Sequence, residues 1–226
     1  SIQGNRIEPQ ALIDQAARTP QNIGMAYTHN EPVISYETVI EVARLAQRKG
    51  LKNVMVTNGF ITPKPLEELL PLIDAFNVDL KANDEQFYHR YTASRLAPVK
   101  ETLLAIRKAG KHLEITNLVI PELNDDEARF VDMVNWIALE LGRETPLHLS
   151  RYFPRHHFSI PPTPEKTLLR LFEIARYHLS YVYIGNLYTP FGQDTRCPTC
   201  HTVLVSRSGY NVSVLGLKDN GHCKGC

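Results

Sequence analysis

Cys197, Cys200, Cys223 and Cys226 are the only cysteines of the chain and occupy its last thirty residues as two C-x-x-C pairs separated by 22 residues. Paired thiolates at that spacing let two short turns grip opposite sides of one tetrahedral ion, with metal to sulfur distances of about 2.3 Å. Zinc suits such a site, which closes without an open coordination position and so serves structure or partner binding. Iron or an iron-sulfur cluster takes the same ligands. A secreted disulfide fold would scatter its bridges, whereas cysteines gathered at one end suit a metal knot in a reducing compartment. Cytoplasmic localisation is the expectation. Between the pairs, Val203, Val205, Val212 and Val214 flank Ser208-Gly209 as a small hairpin. So few residues seldom fold alone, and metal binding supplies much of their folding free energy.

A second set of chemical groups stands at the ends of short apolar runs. One run delivers Asn30 and Glu31, the next Thr57 and Asn58, and the next Asp79 and Lys81. Glu114 with Asn117 follows, and then His148 with Ser150 and Arg151. Gathered at one mouth, these groups suit a small zwitterion carrying a ribose: carboxylates take an ammonium, Lys81 a carboxylate, and amides or hydroxyls the ribose oxygens. Each residue also has a plainer reading. Asn30 and Asn58-Gly59 shape turns, Asp79 with Lys81 forms a solvated pair, and His148 packs structurally.

Such a mouth needs strands to aim the residues. Residues 22–27, 53–57, 77–80, 113–120, 147–149 and 181–184 read as strands buried on both faces. Helices intervene: Leu66, Leu69, Leu70 and Ile73 repeat at helical spacing, as do Leu168, Leu171, Phe172 and Ala175. The helix carrying Val39, Val42, Ala43 and Ala46 ends at Gly50, and Asn124 is the expected cap of the helix containing Phe130 and Val134. This alternation implies an α/β fold of parallel strands, as an open sheet or a full or partial barrel, with its site beyond the C-terminal strand ends. The expected domains are residues 1–190 for the body and 191–226 for the four-cysteine ribbon.

Composition narrows the classes of function. The 226 residues are 43% hydrophobic and 22% charged, a globular balance, and no apolar run approaches the length of a membrane span. Lys plus Arg number 25 against 24 acidic residues, so no global field gathers nucleic acid. Neither G-x-G-x-x-G nor G-x-x-x-x-G-K-[ST] occurs, which removes the usual cradles for dinucleotides and nucleoside triphosphates. No H-E-x-x-H supports a metal-dependent hydrolase. Arg196, Arg207, Lys218 and Lys224 make the ribbon basic, but few aromatics interleave, so nucleic-acid binding there has little support. The chain begins at Ser1 without a secretion signal, as expected of an excised or processed segment.

Several motifs in order resemble a known family: residues 24–32 (GMAYTHNEP), 56–59 (VTNG), 78–81 (VDLK), 116–125 (TNLVIPELND), 146–154 (PLHLSRYFP) and 181–186 (YVYIGN). They are similar to the AmmeMemoRadiSam system radical S-adenosylmethionine enzymes, relatives of the pyruvate formate-lyase activating enzymes. The resemblance runs through essentially the whole chain. It implies a partial (β/α)6 barrel with S-adenosylmethionine across the strand ends, a [4Fe-4S] cluster, and reductive cleavage of the cofactor. Asn30-Glu31-Pro32 takes the place of the motif that binds the methionine amino group, and Asp79 and Lys81 match the segment near its carboxylate. His148 matches the strand that helps hold the nucleoside end.

The departures carry expectations too. Family members hold the cluster with a C-x-x-x-C-x-x-C loop, which does not occur in these 226 residues. The family places that loop upstream of a segment like Ile2-Gln3-Gly4-Asn5, so the first strand is expected to be missing along with it, and the segment alone to be inactive. Val56 stands where the activating enzymes carry an acidic residue. A missing strand would leave the strand of Met25 with bare apolar side chains and an open edge, inviting self-association or a disordered opening segment. The competing reading is a binding module whose zinc ribbon docks a protein or nucleic acid on a barrel-like scaffold. No substrate is legible in the sequence.

Overall fold

The computed structural model describes residues 7–156 and 158–226. In chain order the elements are α1 (Pro9–Arg18), β1 (Gly24–Tyr27), α2 (Tyr36–Arg48), β2 (Lys52–Thr57), α3 (Pro63–Leu69), β3 (Ala75–Asp79), α4 (Glu85–Phe87) and α5 (Leu96–Lys108). They continue with β4 (His112–Val119), α6 (Glu127–Trp136), β5 (Leu147–Arg151), α7 (Glu165–His178), β6 (Val182–Gly185), β7 (Thr195–Arg196), β8 (Val203–Ser208) and β9 (Asn211–Val214). A 3-10 turn, Pro32–Ser35, leads into α2, and π-helical turns extend α4 and α6. The fold is α/β, with parallel strands in the sheet order β1-β2-β3-β4-β5-β6. The expectations for Ile2–Asn5, and for any strand or opening segment before it, fall outside the described residues. No helix among the described residues is long and apolar enough to cross a membrane.

The chain divides into two compact units, the first made of the described residues through Asp79 together with Ala97–Leu113. Here β1 pairs with β2, Tyr27 opposite Met55, and β2 pairs with β3, Thr57 opposite Val78. Helix α1 opens with Pro9, whose fixed φ suits a first helical turn, and buries Ile13 against Val42 and Ala46 of α2. Met25 and Tyr27 pack onto the same cluster, so the side chains of β1 expected to stand bare are covered by a helix. Gly50 ends the α2 turn with a φ of +72°, the left-handed geometry its position predicts. Asn53 is fully buried and fully used. Its amide donates to the carbonyls of Ala43 and Leu72, both at 3.0 Å, and its oxygen accepts from the Tyr27 hydroxyl.

The second unit comprises Leu80–Leu96 and Glu114–Cys226. Strand β5 pairs with β4, Thr116 opposite His148, and with β6, His148 opposite Tyr183. These strands are not buried on both faces. Along β4 the buried Leu113, Ile115, Asn117 and Val119 alternate with the half-exposed Glu114, Thr116 and Leu118, so one face is core and the other is open to a ligand. Asn124 does not cap α6. Asp126 does, accepting from Arg129 N at 3.0 Å, while Asn124 receives Ile120 N and donates to the carbonyls of Lys81 and Leu118. An Asx side chain directly before the first turn reaches its N–H groups, and Asn124 lies too far upstream.

The four-cysteine ribbon forms the antiparallel sheet β7-β8-β9, with Gly209 at a φ of +58° in the β8–β9 turn. It falls within the second unit, where Ile184 N donates to Gly192 O, Gln193 Nε2 to Ile184 O, and Tyr183 shares a hydroxyl contact of 2.8 Å with Thr195. The connection after residue 190 is thus stitched to β6.

Candidate functional site

In the first unit the C-terminal ends of β1 and β2 are joined by Glu31. Its Oε1 accepts from Thr57 Oγ1 at 2.7 Å and from Val33 N at 3.3 Å, and its Oε2 accepts from Asn58 N at 2.7 Å. The half-buried carboxylate therefore holds two strand-end loops in one arrangement. The chain reaches it through His29 and Asn30, both left-handed, with φ of 62° and 50°. Thr57 is buried on the same side of β2 as Asn53 and Met55; its hydroxyl also accepts from Gly59 N. Asn58 Oδ1 accepts from Phe60 N at 2.8 Å, which is the turn-shaping role open to it from sequence. Gly59 has a φ of +73°, and a Cβ there would lie 2.7 Å from Val78 Cγ1, so the tight turn requires glycine. Asp79 lies half-buried at the end of β3, on the open parity shared with Ala75 and Asn77. Val56, at the position where an acidic residue was the family expectation, is 37% exposed.

In the second unit Glu114 and His148 project from the open parity of β4 and β5. His148 Nε2 stands 2.7 Å from Glu114 Oε2, and the imidazole stacks on the Tyr183 ring with centroids 5.2 Å apart. Tyr183 escaped the sequence reading, although the alternation along β6 places it on the same face. Asn117 is elsewhere, only 1% exposed, with its amide donating to the carbonyls of Leu80 and Lys81 at 2.7 and 3.1 Å. Its side-chain oxygen is buried without a partner among the described residues. The Lys81 backbone is clamped by Asn117, Asn124 and the Tyr88 hydroxyl, and its side chain is half-buried.

The four cysteines are free thiols whose Sγ atoms all lie within 4.8 Å of one another. Cys197 and Cys226 stand 3.7 Å apart, and Cys200 and Cys223 3.5 Å. Tetrahedral thiolates about 2.3 Å from one ion are about 3.8 Å from each other, while thiolates on different irons of a cluster stand wider apart. The geometry therefore fits a single ion. Hydrogen bonds from Thr202 pull the Cys200 thiol down to about 6, whereas the crowd of neighbouring sulfurs pushes Cys226 up to about 12. Four thiolates at this spacing repel, and a cation is what lets all of them stay deprotonated.

Residues 6–134 match the Radical SAM superfamily. The chain belongs to that superfamily. An uncharacterized protein of Methanocaldococcus jannaschii is 37% identical over 221 residues, a match covering 96% of this chain and 65% of the relative. The (2S)-3-sulfopropanediol dehydratase activating enzyme of Klebsiella oxytoca is 22% identical over 119 residues, 53% of this chain and 38% of that protein. The chain thus spans less than two thirds of the length of either relative. Among solved structures, a domain of a pyruvate-formate lyase-activating enzyme from Bacteroides vulgatus superposes with a TM-score of 0.63 at 16% identity, covering 72% of this chain and 99% of that one. Streptococcus suis SuiB bound to S-adenosylmethionine gives 0.64 at 12% identity, covering 83% of this chain and 46% of that one. These likenesses establish the Radical SAM fold.

Proposed function

We propose that this chain is the S-adenosylmethionine-holding portion of a radical S-adenosylmethionine enzyme of the AmmeMemoRadiSam type, akin to the glycyl-radical activating enzymes. The observation that carries the reading is the Glu31 carboxylate, fixed between the ends of β1 and β2 by Thr57 and Asn58 in a chain of this superfamily. A carboxylate held in place accepts the cofactor's ammonium without reorganising. Within the second unit, the half-exposed Glu114–His148 pair offers an acceptor and an imidazole edge to hydroxyl groups of a ligand. Asp79 and Lys81, at and just beyond the end of β3, serve the amino-acid end in this reading.

The [4Fe-4S] cluster does not fit the residues present. No C-x-x-x-C-x-x-C occurs among them, and the four cysteines form a separate group at the ribbon, their sulfurs within 4.8 Å of one another. In the proposed reading the cluster ligands belong to a longer polypeptide, the whole protein performs reductive cleavage of S-adenosylmethionine, and these 226 residues alone form no 5′-deoxyadenosine. The ribbon holds zinc, since a closed tetrathiolate site offers structure and no position for substrate. Calorimetric titration of the chain with S-adenosylmethionine tests the cofactor reading. The expected result is saturable binding that Glu31→Gln weakens about tenfold through loss of the ammonium's counter-charge. No heat of binding by the unaltered chain would overturn it.

A further inference from the structure

The substrate has no assignment, and a second concavity in the Leu80–Leu96 and Glu114–Cys226 unit bears on its chemistry. A cavity of about 410 Å³ lies beside the ends of β4 and β5, lined by Leu118, Arg151, Tyr152, Phe153, Arg155 and Asn186. Ligands of parallel α/β folds collect at this end of the strands. The lining carries two guanidinium groups and no carboxylate. Neither arginine has an ion-pair partner among the described residues.

Arg151 is held, not loose. It is half-buried, and its Nε donates to the Thr163 carbonyl at 2.8 Å. Thr163 is itself 0% exposed, its hydroxyl accepting from Tyr152 N at 2.9 Å and donating to Val119 O at 2.7 Å, so the acceptor cannot drift. The guanidinium lies over the Phe153 ring, 5.0 Å from its centroid. One edge of the planar group is thereby fixed and one face covered, while Nη1 and Nη2 have no acceptor among the described residues. Asn186, left-handed with a φ of 57°, donates to Ser150 Oγ at 2.9 Å and steadies the end of β5 from the other side. A pre-set guanidinium fork beside a second cation matches a group that presents two or three oxygens in one plane or pyramid.

We propose that this cavity seats an anionic oxyacid group, a carboxylate or phosphate, with Arg151 binding it through both terminal nitrogens and Arg155 adding charge. Its assignment to the substrate rests on the S-adenosylmethionine reading; the anion site itself does not. The substrate is then an acidic small molecule, or an acidic residue of a larger one, bound by its charged end.

The test is an NMR titration of the 226-residue chain with inorganic phosphate and, separately, with malonate at constant ionic strength, following the arginine Nε–H signals. Arg151 is expected to shift saturably with at least one of the two, the tighter one naming the group. Arg151→Gln is expected to abolish saturation. Arg151→Lys, which keeps the charge and loses the fork, is expected to weaken it about tenfold and guards against a Gln variant that fails to fold. Linear, unsaturating shifts with both anions, or saturation that survives in both variants, would overturn the site. Displacement of the anion by S-adenosylmethionine would overturn its assignment to substrate. Phosphate saturation without S-adenosylmethionine binding would sink the cofactor reading and leave the anion site standing.

Discussion

Thr57 Oγ1 donates to Glu31 Oε1 at 2.7 Å, so a residue on the buried side of β2 reaches out to fix the carboxylate that follows β1. Thr57→Val keeps the shape of the side chain and removes that donor. The expected outcome is a loss of about 1 kcal/mol in stability, from one charge-assisted bond partly replaced by water, and several-fold weaker S-adenosylmethionine binding as Glu31 loosens. Chemical denaturation and calorimetry measure the two effects. A variant that binds the cofactor with unchanged affinity would show that the carboxylate's position does not matter.

Asn117 tests the difference between a ligand and a strut. Its amide bonds to the carbonyls of Leu80 and Lys81 anchor the segment after β3 to β4. Asn117→Ala removes the side-chain donor to the Leu80 carbonyl and leaves Asn124 alone on that of Lys81, and is expected to cost about 1–3 kcal/mol. Asn117→Asp is expected to be at least as harmful, because it sets a carboxylate against two carbonyl oxygens. Thermal unfolding checks both, and an Asn117→Ala protein of normal stability that fails only in cofactor binding would make it a ligand.

Strand parity explains what the sequence shows and what it hides. Thr57 shares its parity with the buried Asn53 and Met55, and Asn117 with Ile115 and Val119, whereas Glu114 alternates with them on the open face. That alternation is visible in the letters His-Leu-Glu-Ile-Thr-Asn-Leu-Val, and it separates strut from lining. The alternation of strands with helices, the Gly50 cap and the ribbon hairpin are local patterns and could be read directly. Helices α1 and α5 were not among the expected elements, although Pro9 with Leu12, Ile13 and Ala16, and Val99 with Leu103 and Ile106, carry the spacing of a helical face. The Thr163 carbonyl under Arg151 comes from 12 residues away through a loop without periodicity, and no sequence pattern announces it.

Asp74 gives the first unit a measurable pH dependence. Burial pulls its carboxyl upward, but the Asn53 N–H at 2.8 Å and the Lys52 ammonium at 2.9 Å outweigh burial and hold it below the ordinary value. A carboxyl depressed on folding adds stability that is complete above its unfolded pKa of about 3.9 and is lost as pH falls toward the folded value. Asp74→Asn is therefore expected to lower stability at neutral pH by less than about 1 kcal/mol, since the side chain is 39% exposed and solvent screens the pair. The gap to the unaltered protein is expected to close below about pH 4. Denaturation midpoints at several pH values check the sign, and a gap that widens in acid contradicts it.

Metal removal separates the ribbon from the rest. Chelation, or Cys200→Ser, leaves the β7-β8-β9 sheet with little of its own to fold around, because β9 is exposed along its whole length and Val212 and Val214 are 58% and 64% exposed. Loss of the ion is expected to collapse the amide dispersion of residues 195–226 while the signals of β1–β3 persist. On the proposed zinc reading, protein purified without oxygen is expected to carry one zinc per chain and no inorganic sulfide. A brown sample with iron and sulfide in equal amounts would refute the zinc assignment, and a ribbon that keeps its dispersion without metal would refute the folding argument.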